Sequence, residues 1–263
     1  MAQTPAVPKI EARSDDQATK RRREELARRV IASFENGLPD RRLLCFLDDR
    51  DWQDVKSGRD AASRGFYTPL RGAGLPWHAP LPLLKCVYDN GELVFDDLIY
   101  LHGTTCSTDV GLAMTLAHEF QHFFQYSKDL DLWAASTVAF FALRSLERVE
   151  FEALALRICD IPHEREARIA AKRTAENLFG AESVRAYVET KRAERVTEQD
   201  ALDWDCIQGL SSSAVYDLAS ETKRFFPRLK SCRSALDRTL RGFGGDPDFQ
   251  GVDLDALLAE GAQ

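Results

Sequence analysis

An α+β fold, with a small β-sheet, one helix carrying the candidate site and a helix-rich C-terminal part, is what this chain of 263 residues predicts. Three observations lead there. First, "LLKCVYDNGELVF" places Asn90-Gly91 between two β-prone runs, a dipeptide suited to a type I′ hairpin turn, and "DLIYLHG" from Asp97 to Gly103 supplies a further strand. Second, Thr104, Thr105, Ser107 and Thr108 offer N-caps for a helix from about Asp109 to Tyr126. Third, the pattern from Asp131 onward is almost wholly helical.

Along the chain, residues 1–18 lack periodicity and read as a flexible tail. "KRRREELARRVIASFENG" reads as a helix, with Leu26, Val30, Ile31 and Phe34 on one face and Gly37 just past its end. From 43 to 84, Pro69, Pro76, Pro80 and Pro82 with several glycines predict loops and short pieces. A long helix is expected from Asp131 to about Asp160, a break at Pro162, then helices through "EREARIAAKRTAENLF", "AESVRAYVETKRAER" and "SSAVYDLASETKRFF". The expected organisation is a tail (1–18), a core (19–160), a helical extension packed on it (161–245) and an acidic C-terminal tail (246–263) holding a turn and a short helix.

Composition narrows the function classes. With 44% hydrophobic and 29% charged residues the chain can bury one substantial core. Its net charge is -7 and its basic residues are dispersed, which argues against nucleic acid as the main ligand. Lys20, Arg21, Arg22 and Arg23 are followed at once by Glu24 and Glu25, as on a solvated helix face. Six scattered cysteines without a CxxC pair read as reduced thiols rather than zinc ligands. The N-terminal stretch lacks the apolar core of a signal peptide, and "LWAASTVAFFAL" falls short of the about 20 residues needed to cross a bilayer. The expectation is a cytoplasmic protein without membrane or nucleic-acid partners, and the sequence does not set its oligomeric state.

Chemistry concentrates in "LAMTLAHEFQHFFQYSKD". On a helix His118 and His122 project about 40° apart, one turn from each other, and can bring two nitrogens to about 2.0–2.1 Å from one zinc ion. Glu119 stands beside them, where a carboxylate can take a proton from an attacking water and hand one to a leaving amine. An accidental HExxH or a packed histidine pair is the bland alternative. Leu112, Leu116, Phe120, Phe123 and Phe124 argue against it, because they enclose the helix, and enclosed polar groups need a metal or full hydrogen bonding.

A zinc ion that keeps an open position needs a third protein ligand. No histidine follows His122 closely, so the search moves to "LRSLERVEFEALALRIC" with Glu147, Glu150 and Glu152. Glu150 has Leu143, Leu146, Ala153 and Leu154 as its helical neighbours and is an acid on an apolar face. Glu147 and Glu152 have Arg144 and Arg148 within a turn and read as solvated pairs, with Glu152 in reserve.

"HEFQH" followed by "EFEALAL" resembles the zincin metallopeptidases of the gluzincin type, the second piece being similar to the E-x-x-A-D segment of Ste24/HtpX-like peptidases. The resemblance covers residues 85–160. It implies a zincin-like fold, zinc as cofactor, His118, His122 and Glu150 as ligands, Glu119 as catalytic base, and a protein or peptide substrate. Leu154 stands where that segment has an aspartate, and the membrane helices of those peptidases are absent. The expected activity is therefore that of a soluble zinc-dependent endopeptidase, with a catalytically inactive zincin-fold binding or regulatory protein as the alternative. A peptide would lie along "DLIYLHG" if that strand is a sheet edge. Tyr187, Tyr216, His163 and Arg157 are candidate oxyanion donors, and of the single histidines His78 and His102, the second is better placed to border a cleft.

Overall fold

The computed structural model describes residues 7–34, 37–48, 65–70, 81–103, 107–146, 154, 156–194 and 198–259. In chain order these form β1 (Lys9–Arg13), α1 (Gln17–Ala32), β2 (Leu43–Asp48), β3 (Gly65–Pro69), α2 (Leu81–Val87), β4 (Tyr88–Asp89), β5 (Glu92–Leu93), β6 (Asp97–His102), α3 (Asp109–Lys128) and α4 (Leu130–Ser145). A 3-10 turn (Ile158–Asp160) then leads into α5 (Pro162–Phe179), α6 (Ala181–Ala193), α7 (Glu198–Gly209), α8 (Leu218–Phe225), α9 (Arg233–Gly242) and α10 (Leu254–Ala259). The result is the mixed α+β class with a small sheet and a helix-rich C-terminal part. Contacts divide the chain into two units, Met1–Phe124 with Ala170–Glu189, and Gln125–Ile169 with Thr190–Gln263. The division falls within three continuous helices, α3, α5 and α6.

The first unit is built on a four-stranded mixed sheet of order β1-β2-β6-β3. β1, β2 and β6 run parallel, and β3 is antiparallel to β6. β2 and β6 are buried along almost their whole length, because both faces of the sheet are covered. Leu44, Phe46, Leu98 and Tyr100 point one way, into a cluster with Leu70, Leu83 and Val87. The opposite face meets α3: Tyr67 packs edge-on against Phe123 at 6.1 Å, and Gly65 lies against Thr115. A Cβ at Gly65 would sit 2.9 Å from the Tyr100 carbonyl oxygen, so only glycine lets β3 approach this closely.

Several expectations hold. Asn90 and Gly91 both have positive φ, 49° and 85°, which gives the primed turn between β4 and β5. α1 begins at Asp16, whose carboxylate accepts from the amides of Ala18 and Thr19, and it buries Leu26, Val30 and Ile31. The Thr19 hydroxyl and those amides hold the Asp16 carboxyl below its ordinary range. Thr108 Oγ1 accepts from the Gly111 amide at the start of α3. The basic cluster of α1 is largely spent on neighbouring acids, with Lys20 near Glu11 and Glu24 and Arg22 on Asp109.

Three expectations are corrected. β6 is not a sheet edge, since β2 and β3 pair with its two sides; among the described residues the edges are β1 and β3. The aperiodic N-terminal stretch is not all tail, because Lys9–Arg13 pairs with β2 in parallel and α1 already starts at Gln17. The long helix from Asp131 to Asp160 stops at Ser145, where Leu146 turns extended at φ -70° and ψ 148°. In addition, "LLKCV" belongs to helix α2 rather than to the hairpin.

The second unit closes around aromatic side chains. Trp133 of α4 packs against Tyr126 at 5.0 Å and Phe249 at 6.0 Å, and Phe243 stacks on Phe249 at 4.0 Å. Tyr126 donates its hydroxyl to Asp248 at 2.8 Å. These contacts order the C-terminal stretch through α10, which the acidic, glycine-rich composition only partly foretold.

Candidate metal centre

α3 carries the two histidines because its sequence is apolar nearly all round, with Leu112, Ala113, Leu116, Ala117, Phe120 and Phe123 each almost fully buried. The helix is less covered at Thr115, His118 and Gln121, a stripe recurring every three residues. His122 and Glu119 are buried, at 7% exposure each, and His118 is half-buried. Their rings meet edge to face, with Nε2 of His118 and Nε2 of His122 3.1 Å apart. Two nitrogens of a tetrahedral zinc site stand about 3.3 Å apart at Zn–N distances of about 2.0–2.1 Å, so the pair is set for one ion.

The third member is Glu164, in the first turn of α5. Ligand atoms of His118, His122 and Glu164 all lie within 4.8 Å of one another. This buried His/His/Glu group can hold a metal ion, and two imidazoles with one carboxylate suit zinc, manganese, cobalt or iron. Pro162 starts α5 at a position where a missing N–H costs nothing, and so places Glu164 third in the helix. The end of α3 is tied to the same turn, because Gln125 donates through Nε2 to the His163 carbonyl at 2.9 Å and to Glu166 Oε2 at 2.8 Å.

Glu164 is itself held by two neighbours. Its Oε1 lies 3.5 Å from His163 Nε2, and its Oε2 lies 3.6 Å from Arg168 Nη2. Arg168 is 9% exposed and also meets Asp203 at 3.5 Å. Burial works against its charge, yet Asp203 and Glu164 outweigh burial and raise its pKa above the ordinary value. A carboxylate that gives one oxygen to a metal keeps the other for such a partner, which fixes its orientation.

The predicted residues fare unequally. His118, Glu119 and His122 come together on α3 as the spacing implies. Glu147, Glu150 and Glu152 lie outside the described residues, as does His78. The helical register that tied Glu150 to Leu143 and Leu146 ends with α4 at Ser145. Of the four oxyanion candidates, His163 adjoins the group through Glu164. Tyr187 instead reaches Gly111, two turns or about 10 Å before His118 along α3. Tyr216 is pushed up by burial and lies among Glu221, Arg165 and Glu166. Arg157 is exposed and serves a turn with Asp160. His102 ends β6 with its ring tilted over Tyr100 at 5.7 Å.

Glu164 and Arg168 escaped the sequence reading, although a signal existed. They head a stripe at 164, 168, 171 and 175 that continues with buried Ala171 and Ala175, so the acid begins an apolar face just as Glu150 was thought to do. No family model matches the chain, and neither the curated proteins nor the solved structures yield a match.

Proposed function

We propose that this protein is a zinc-dependent hydrolase of peptide bonds, with His118, His122 and Glu164 as metal ligands and Glu119 as general base. One observation carries the reading: the HExxH histidines and a carboxylate from a later helix form one ligand group, with Glu119 buried beside it. Histidine pair, adjacent glutamate and a glutamate from a following helix are the parts of the gluzincin pattern that the sequence resembles. Here Glu164 takes the place for which the resemblance named Glu150.

A zinc ion held there would supply Lewis acidity toward a scissile carbonyl. Glu119 accepts the proton of the attacking water and passes one to the departing amine. His163 is the side chain best placed to donate to developing negative charge, since its ring already stands by Glu164.

The corrected sheet order supports a substrate path along β3. β3 is an edge strand, and among the described residues no strand pairs with its outer side. A Cβ added at Gly65 of β3 would meet Thr115, which projects only about 20° from His122 on α3, so β3 comes near α3 on its histidine side. An extended peptide added to β3 is aligned through backbone hydrogen bonds and makes few side-chain demands.

Glu119→Gln tests the proposal. The variant is expected to keep its metal and to lose about 10²–10⁴-fold in hydrolysis of an unfolded protein substrate. Unchanged hydrolysis in this variant would contradict the role of Glu119. A parent that binds zinc tightly and cleaves nothing would favour the inactive binding protein instead.

A further inference from the structure

The stretch from Lys223 to Arg241 sets seven basic residues against one acid, Asp237, and so carries +6 in a chain of net charge -7. The rest of the chain therefore carries -13. The cations stand singly or in pairs, so in the sequence they read as dispersed charge. All of them lie in the second unit, on the end of α8, a 3-10 helix (Phe226–Cys232) and α9. Folding neutralises only two. Arg224 meets Glu221 at 2.8 Å, and Arg233 meets Asp237 and Asp255. Lys223, Arg228, Lys230, Arg238 and Arg241 are exposed, and none of them forms an ion pair with a described residue.

Helical period turns these side chains outward. In the 3-10 helix Phe226, Leu229 and Cys232 recur every third residue and are buried, which leaves Arg228 and Lys230 to solvent. On α9 the buried residues are Ala235 and Leu236. Arg238 and Arg241 project about 160° and about 140° from Leu236, and only about 60° from each other. An aromatic side chain adjoins them. Phe141 of α4, at 48% the most exposed aromatic among the described residues, packs edge-on against Phe243 at 5.8 Å, and Phe243 stands two positions after Arg241. Phe243 is seated in turn by its stacking on Phe249. Arginines beside a firmly held, exposed ring are the residue types that dominate contacts between proteins.

We propose that this face docks an acidic segment of a partner protein, in which carboxylates flank an apolar side chain. The carboxylates meet the unpaired cations, and the apolar side chain covers Phe141. The extent of the charge favours a short segment over a bilayer or a nucleic acid. Screening confines the field of an exposed charge to about 8 Å at physiological ionic strength, so a segment no larger than the patch feels its +6. An anionic membrane or a duplex continues past the patch toward a remainder that carries -13. The docking surface does not depend on the metal centre.

The test follows the fluorescence anisotropy of a labelled peptide in which runs of glutamate flank a leucine, beside the same peptide with glutamine for every glutamate, titrated with the full chain. The glutamate peptide is expected to bind, more weakly as salt rises, and the glutamine peptide to stay free. Arg238→Glu and Arg241→Glu, both at exposed positions, should each raise the Kd by about 10-fold or more. Phe141→Ser should weaken binding without changing its dependence on salt. Arg185→Glu, which reverses an exposed cation on α6 outside the patch, should leave the Kd unchanged. Equal weakening in Arg185→Glu would reduce the effect to net charge and overturn the patch. Equally tight binding of the glutamine peptide, or unchanged binding in both arginine variants, would overturn it as well. So would a chain that ignores the glutamate peptide, whether or not it binds phosphatidylserine vesicles or duplex DNA.

Discussion

His122→Ala is expected to abolish the tight zinc binding proposed here and with it any stabilisation that zinc confers. In the parent, zinc bound at this site and present at roughly 100 times its Kd would add about 2.7 kcal/mol to folding stability through mass action. Thermal unfolding with and without zinc should show that increment in the parent and none in His122→Ala. The expectation follows from geometry, because His122 is buried and its Nε2 stands 3.1 Å from that of His118. Losing a ligand costs more than the about 10–100-fold in affinity that loss of an outer hydrogen-bonding partner costs. An equal zinc-induced shift in parent and variant would place the ion elsewhere.

Phe120→Ala carries the largest expected effect on stability, about 3–5 kcal/mol, read from denaturant midpoints. Phe120 is 0% exposed and lies at the back of the histidine helix. Its ring meets Phe34 at 4.9 Å, Phe124 at 5.4 Å and Phe123 at 5.7 Å. Truncation leaves a cavity among these rings, so both transfer and cavity costs apply. The effect should appear with zinc absent, which separates it from the loss seen in His122→Ala. A cost below about 1 kcal/mol would mean that this aromatic cluster repacks freely.

Legibility in the sequence tracked how local each determinant is. The Asn90-Gly91 turn, the apolar face of α1 and the extent of α3 depend on residues within a few positions and were readable. The His118–His122 pair was readable for the same reason, since one helical turn fixes their spacing. β2 was lost among loop signals although "LLCFL" is a short apolar run of the kind that fills a doubly covered strand. Strand order was beyond reach, because whether β6 is central or an edge depends on where β2 and β3 pair. Glu164 illustrates the same limit, for its ligand atom joins those of residues 42 and 46 positions earlier, which no local pattern fixes. Helical continuation past Ser145 made Glu150 attractive, and Leu146 ends that continuation with an extended backbone that no glycine or proline announces.

The membrane reading has a narrower basis. Among the described residues no helix is long and apolar enough to cross a bilayer.

The most direct measurement is the metal content of the purified chain beside its Glu164→Ala variant, each folded and offered zinc. About one zinc per parent chain, falling to a small fraction in the variant, is the predicted result. No metal in the folded parent, or full retention in Glu164→Ala, would contradict the His118, His122 and Glu164 site.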